Sequence, residues 1–232
     1  MDNIFFASPQ QFTPDNKTVT ITGQEAQHIA KVLRKREGDE ITVANGVGSH
    51  FRCIISLITR QHVQANCLEE ETRPHPQNQK ILALGSLRKR DRLEFALEKA
   101  VELGATELCL FEADHSERSR IKADRLEMVL TSAFKQSGRF WLPKLTMLDS
   151  LEQVLLRFSD FEAVMAHEKV EVAQPVIPKN KNVLLLVGPE GGFSDFEVEL
   201  VEKAGGALIS LGENRLRAET AVTALLSLFL FR

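Results

Sequence analysis

The sequence lacks any run of roughly 18 apolar residues, the length a helix needs to cross a bilayer. Its nearest approach, Ala221 to Phe231, is short and broken by Thr223 and Ser227, so no membrane partner is expected. The opening MDNIFFASPQ has an acid at position 2 and no basic stretch before an apolar run, so no secretory signal is read and a cytoplasmic location is expected. Cysteine is sparse. Cys53, Cys67 and Cys109 are far apart along the chain, with no C-x-x-C and no histidine pair beside them, so no metal site is expected and the thiols read as reduced, mostly core residues. Basic excess is also missing: a net charge of -3 excludes a wholly basic, histone-like nucleic-acid binder. No internal repeat is visible, which removes solenoids and propellers.

What is present is an ordinary folding composition, 232 residues with 43% hydrophobic and 26% charged, enough for one large or two small domains. The charge is clustered. KVLRKR (Lys31 to Arg36), RKRDR (Arg88 to Arg92) and ERSRIK (Glu117 to Lys122) are basic patches of the kind that set phosphate affinity, although each alone also fits a solvated helix face. Residues 1 to about 70 carry short β-type runs at Ile4 to Ala7, Thr18 to Thr22, Glu40 to Ala44, Phe51 to Ile58 and Val63 to Leu68, interrupted by one helix over Gln24 to Arg34. A small, mostly β barrel with one helix is expected. The segment Glu69 to Gln79 has two prolines and no apolar residue, and places a linker at 71–79 between domains 1–70 and 80–232.

Beyond the linker, strand and helix patterns alternate, and the strand Val183 to Val187 is apolar throughout. That pattern predicts an α/β layer fold on a mostly parallel sheet covered on both faces. Two loops stand out. In LLLVGPEGGFSDFEVEL a buried strand runs into Gly188-Pro189-Glu190-Gly191-Gly192 and then into a helix, whose start is marked by Ser194 and Glu197 as a capping box. Glycines there let backbone N–H groups approach a ligand at the edge where such sheets bind them, while a turn that merely ends a strand has the same composition. No Gly-Lys-Ser/Thr follows and G-x-G-x-x-G is absent, so triphosphate hydrolysis is unsupported. The second loop, in SLGENRLRAETAVTALL, leaves the next strand at Leu211-Gly212 and enters the last helix through Leu216-Arg217-Ala218-Glu219.

The order GPEGGFS, about twenty residues, then LG, four residues and R-x-ETA resembles the 16S ribosomal RNA uracil-N3-methyltransferases of the SPOUT superfamily. HIAKVLR (His28 to Arg34), EKAVELGATEL (Glu98 to Leu108), SERS (Ser116 to Ser119) and QSGRFWLP (Gln136 to Pro143) extend the resemblance over nearly the whole chain. Lys135, where an acid is common, and Asn214-Arg215, in place of a basic-aliphatic pair, depart from it.

The resemblance implies a PUA-like N-terminal domain and a trefoil-knotted methyltransferase domain that binds S-adenosylmethionine in a bent shape. The knot loops point to Val187, Gly188, Pro189, Glu190, Gly191, Gly192, Leu211, Gly212, Leu216 and Arg217 for that ligand, with Met165 to Glu168, His167 among them, on a third wall. It further implies 16S rRNA as substrate, either within the assembled small (30S) subunit or as naked RNA, and a homodimer packed through the knot and the last helix, which is apolar on nearly every side. For proton removal from uracil N3, Arg217 is the expected stabiliser of the charged base, with Glu190 or Glu219 as the base; each acid equally fits a loop-anchoring or helix-dipole role. Expected RNA contacts are His28, Lys31, Arg34, Arg88, Lys89, Arg118 and Arg139, the last with Phe140 and Trp141 as stacking or core aromatics. The rival readings are a SPOUT enzyme acting on a transfer-RNA ribose 2'-hydroxyl and a non-catalytic RNA-binding module.

Overall fold

The computed structural model describes residues 3–117, 122–168 and 181–230. These form two compact units: the chain up to His75 together with Phe134–Leu142, and the remainder from Pro76.

In the first unit, five strands form one sheet in the order β1-β3-β4-β5-β2. They are β1 (Ile4–Phe6), β2 (Thr18–Thr22), β3 (Glu40–Ala44), β4 (Ser49–Ile58) and β5 (His62–Thr72). β1 runs parallel to β3 and the other pairs are antiparallel. Alternate residues point inward, as the period of a strand requires. Phe5, Val19, Ile21, Val43, Phe51, Ile55, Val63 and Ala65 meet in one core.

Three sequence expectations change here. The helix read over Gln24 to Arg34 is a short α1 (Gly23–Gln27) that widens into a π-helical turn over His28–Val32 and ends with Arg34 at φ 52°. The wider turn alters the helical phase, leaving Ile29 fully buried and Val32 mostly exposed. Glu69 to Thr72, read as the start of a loop, extend β5, because backbone pairing on an exposed ladder needs no apolar side chain and Arg52 binds both Glu69 and Glu40. Cys53 and Cys67, remote in sequence, lie opposite each other with sulfurs 3.2 Å apart. The Cys53 thiol donates to Cys67, which pushes its own ionisation up and that of Cys67 down.

Phe134–Leu142 clusters with this unit, although the sequence placed it in the second domain. The cause is a set of non-local backbone bonds. His50 Nε2 lies 2.9 Å from the Arg139 carbonyl, Gly48 N–H donates to the Phe140 carbonyl, and Trp141 Nε1 donates to the Arg73 carbonyl at 2.9 Å. Gly48, at φ 107°, has no room for a side chain: a Cβ there would lie 2.6 Å from the Trp141 ring.

The second unit is a six-stranded sheet in the order β11-β9-β10-β6-β7-β8, parallel throughout. Its strands are β6 (Lys80–Gly85), β7 (Glu107–Phe111), β8 (Lys144–Leu148), β9 (Glu162–Ala166), β10 (Val183–Val187) and β11 (Ala207–Ile209). Helices α2 (Arg90–Glu102), α3 (Ala123–Gln136), α4 (Leu151–Arg157), α5 (Asp195–Lys203) and α6 (Ala218–Ser227) connect or follow them. Every residue of β10 is buried, as expected for a parallel strand covered on both faces. The chain order reverses around β10, whose neighbours are β9 and β6, and ligands bind such sheets beyond the carboxyl ends at that reversal.

Candidate functional site

At the carboxyl edge lies a cavity of about 670 Å³. Three loops wall it: Val187 to Asp195 after β10, Ser210 to Arg217 after β11, and Ala166 to Glu168 after β9, joined by Arg92 of α2 and His115 from the loop after β7.

The loop after β10 is fixed from several sides. The expected capping box is present: Ser194 Oγ accepts from Glu197 N–H at 3.2 Å, and Glu197 Oε2 accepts from Ser194 N–H at 2.9 Å. Glu197 also accepts from Asp114 N–H, and Ser194 Oγ donates to the Asp114 carboxylate. At 3% exposure, burial raises the Glu197 pKa against the pull of those two backbone donors. The glycines permit close approach. A Cβ on Gly191 would lie 2.7 Å from the His115 Cβ, and one on Gly85, at the end of β6, would lie 2.6 Å from Pro189 Cδ. Gly192, at φ 73°, closes the turn by donating to the Pro189 carbonyl.

The loop after β11 is held more lightly. Ser210 Oγ donates to the Gly212 carbonyl and accepts from Gly212 N–H, with Gly212 at φ 130°. Arg215 reaches across the cavity mouth, its Nε 3.3 Å from Glu168 Oε2 and its Nη2 3.4 Å from the Glu190 carbonyl. Arg217 is the N-cap residue of α6 and is exposed on the cavity wall.

Of the residues expected to hold a ligand, Val187, Gly188, Pro189, Glu190, Gly191, Gly192, Leu211, Gly212, Leu216, Arg217 and His167 all line this cavity. Met165 does not. Strand alternation turns its side chain into the core with Leu184 and Leu186, and Ala166, His167 and Glu168 of the same expected stretch form the wall. Glu219 is not part of the lining either. Its side chain is 13% exposed and Oε1 sits 3.6 Å from Arg92 Nε, which turns it toward α2.

The expected RNA contacts divide. Lys31, Arg34, Arg88 and Lys89 are exposed, and Arg88 pairs with Glu117 at 3.1 Å. His28 is half-buried, edge-on to Phe5. Arg139 is half-buried; burial pulls its guanidinium down to about 10, still charged at neutral pH, and its neighbour Phe140 is a buried residue stacked on His50, the core reading of that aromatic. Arg118 lies outside the described residues. Sequence reasoning missed Arg92, counted only as part of a basic patch, and His115, which carried no motif. Among the described residues no group of three or more His, Cys, Asp or Glu is placed to hold a metal.

Residues 73–230 match the model of an RNA methyltransferase domain, and residues 21–66 match that of an RNA methyltransferase PUA domain. The chain is 29% identical to the ribosomal RNA small subunit methyltransferase E of Bacillus subtilis (strain 168), over 95% of this chain and 93% of the relative. Among solved structures it is similar to a probable rRNA-methyltransferase from Porphyromonas gingivalis (33% identity, TM-score 0.82, covering 98% and 96% of the two chains). It is also similar to the ribosomal RNA small subunit methyltransferase E of Neisseria gonorrhoeae bound to S-adenosyl methionine (25% identity, TM-score 0.82, covering 99% and 97%).

Proposed function

Because the chain belongs to the RNA methyltransferase family, with a PUA domain ahead of its methyltransferase domain, we propose that it methylates N3 of a uridine in 16S rRNA, drawing the methyl group from S-adenosylmethionine. The observation that carries the reading is the junction of the loops after β9, β10 and β11 around one cavity of about 670 Å³, a volume suited to a nucleoside-sized ligand.

The residues fit that donor. Gly191, with no side chain, lets the loop backbone line the cavity while packed against His115, Pro189, Leu211 and Leu216 give apolar walls, and Glu168 and Glu190 offer acceptors for hydroxyl or ammonium groups. When bound, the donor supplies a methyl carbon made electrophilic by its sulfonium. The protein's part is placement and proton handling. Glu190, exposed at the cavity edge, takes the N3 proton; the electron pair left behind is shared with the two uracil carbonyl oxygens; Arg217, fixed at the start of α6, stabilises that charge.

In this reading the domain of residues 1–70 binds RNA, with Lys31 and Arg34 as phosphate contacts, 71–79 connect, and 80–232 carry the reaction with Arg88 and Lys89 beside it. In the same reading the chain threads as a trefoil knot at this edge, where the loops after β9, β10 and β11 meet because those strands are neighbours and parallel. Two copies pair through α6, whose C-terminal end presents Leu228 and Leu230 to solvent at 36% and 40% exposure.

The test is incubation with isotopically labelled donor and assembled small subunits from a strain lacking the modification, followed by mass mapping of the product. Labelled N3-methyluridine in 16S rRNA is expected. Label on a ribose 2'-hydroxyl, or in transfer RNA, overturns the assignment.

A further inference from the structure

We infer that Arg92 and Glu219 are a second charged device of this cavity, in which Arg92 binds an anionic oxygen of a reactant and Glu219 positions its guanidinium. The inference rests on the methyl-transfer reading and deepens it. Arg92 lines the cavity, only 22% of its side chain is exposed, and its Nε is 3.6 Å from Glu219 Oε1. A guanidinium has five N–H donors in a rigid fork, so a single contact at Nε leaves the terminal pair for another acceptor.

The partner is equally unsaturated. Glu219 Oε2 is the only buried side-chain polar atom among the described residues that lacks a hydrogen-bond partner. A buried carboxylate is normally paired or bonded at both oxygens, and exceptions call for a reason. The helix ends sharpen the contrast. Glu219 occupies the first turn of α6, where the helix dipole favours an acid, but Arg92 occupies the first turn of α2, where it disfavours a cation. A simple tie between α2 and α6 would place the charges without that penalty and would close both oxygens. An arginine kept at the wrong helix end, facing a cavity and backed by a half-used acid, fits a site that awaits an anion.

Two anionic oxygens can enter: the α-carboxylate of the donor, and the carbonyl oxygens of the deprotonated uracil. The carboxylate presents the planar, two-acceptor edge that an arginine fork matches, and a single uracil carbonyl oxygen can take one N–H of that fork with N3 left open to the methyl group. Glu219 touches neither; it acts through Arg92.

Arg92→Gln, Arg92→Lys and Glu219→Gln in the full chain test this. Thermal melting, calorimetry with S-adenosylhomocysteine and with 5'-methylthioadenosine, which lacks the amino-acid part, and kcat and KM on small subunits are read together. Arg92→Gln is expected to melt within a few degrees of the natural chain and to lose about 100-fold either in homocysteine-ligand affinity or in kcat. Weaker S-adenosylhomocysteine binding with unchanged methylthioadenosine binding assigns the carboxylate. Unchanged affinities with a fallen kcat assign the uracil oxygens. Glu219→Gln should follow the same column with a smaller loss, about 10-fold. Arg92→Lys, which keeps the charge but not the fork, should fall between, and decides the matter if the Gln variant does not fold. Affinities and kcat within two-fold of the natural chain overturn the inference and reduce the pair to a strut. If the natural chain itself binds neither ligand, it is the methyl-transfer reading that fails.

Discussion

The two main walls of the cavity are built on different principles. The loop after β10 is locked from behind: Ser194 and Glu197 cap α5, both bind Asp114, and Gly191 and Pro189 press against His115 and Gly85 with no space for a further carbon. The loop after β11 is held by a local serine turn, by the packing of α6 and by Arg215, whose contacts lie in solvent. One wall is a preformed surface, the other an adjustable one. A site that must admit a donor, hold it bent and release a product of nearly the same shape benefits from that division, since only the second wall has to move.

The contrast is open to mutation. Gly191→Ala places a carbon 2.7 Å from His115 and should spoil the rigid wall most. An overpacking cost of about 1–3 kcal/mol corresponds to a fall in donor affinity of roughly 5- to 150-fold by calorimetry, with the far-ultraviolet circular dichroism unchanged. Ser194→Ala removes the cap and the Asp114 bond; about 1–2 kcal/mol of stability should go, seen as a melting point lower by roughly 2–8 °C. Arg215→Leu acts on the yielding wall. Its partner Glu168 is 56% exposed at the side chain, and exposed pairs contribute about 0–1 kcal/mol, so donor affinity should change at most about five-fold, a difference that shrinks in high salt. An Arg215 effect larger than that of Gly191 would invert the comparison.

The layout of the second unit was readable because parallel strands are apolar from end to end and capping residues announce helices; Val183–Val187 and the Ser194 box are both as expected. The cavity loops were readable because their glycines follow buried strands at the edge where such sheets bind ligands and because the two loops occur together in one motif order. What escaped was non-local. β8 alternates Lys144 and Thr146 with Leu145 and Met147 over only five residues at the sheet edge, too short a pattern to stand out. Phe134–Leu142 joins the first unit through carbonyls of Arg73 and Arg139, and backbone groups leave no trace in a sequence. Met165 faces the core and Glu219 faces α2, differences of one strand step and one helix face set by packing against Leu184 and Arg92. Arg92 was hidden in a patch of like charges, where nothing local separates the residue that turns inward from those that stay in water.

The central claim is that the turns near Gly188 and Gly212 enclose one bent methyl donor. A crystal structure of the chain grown with S-adenosylmethionine tests it most directly. The prediction is density for a folded donor touching the backbone of both 188–192 and 211–217; density elsewhere, or in contact with only one of the two turns, contradicts it.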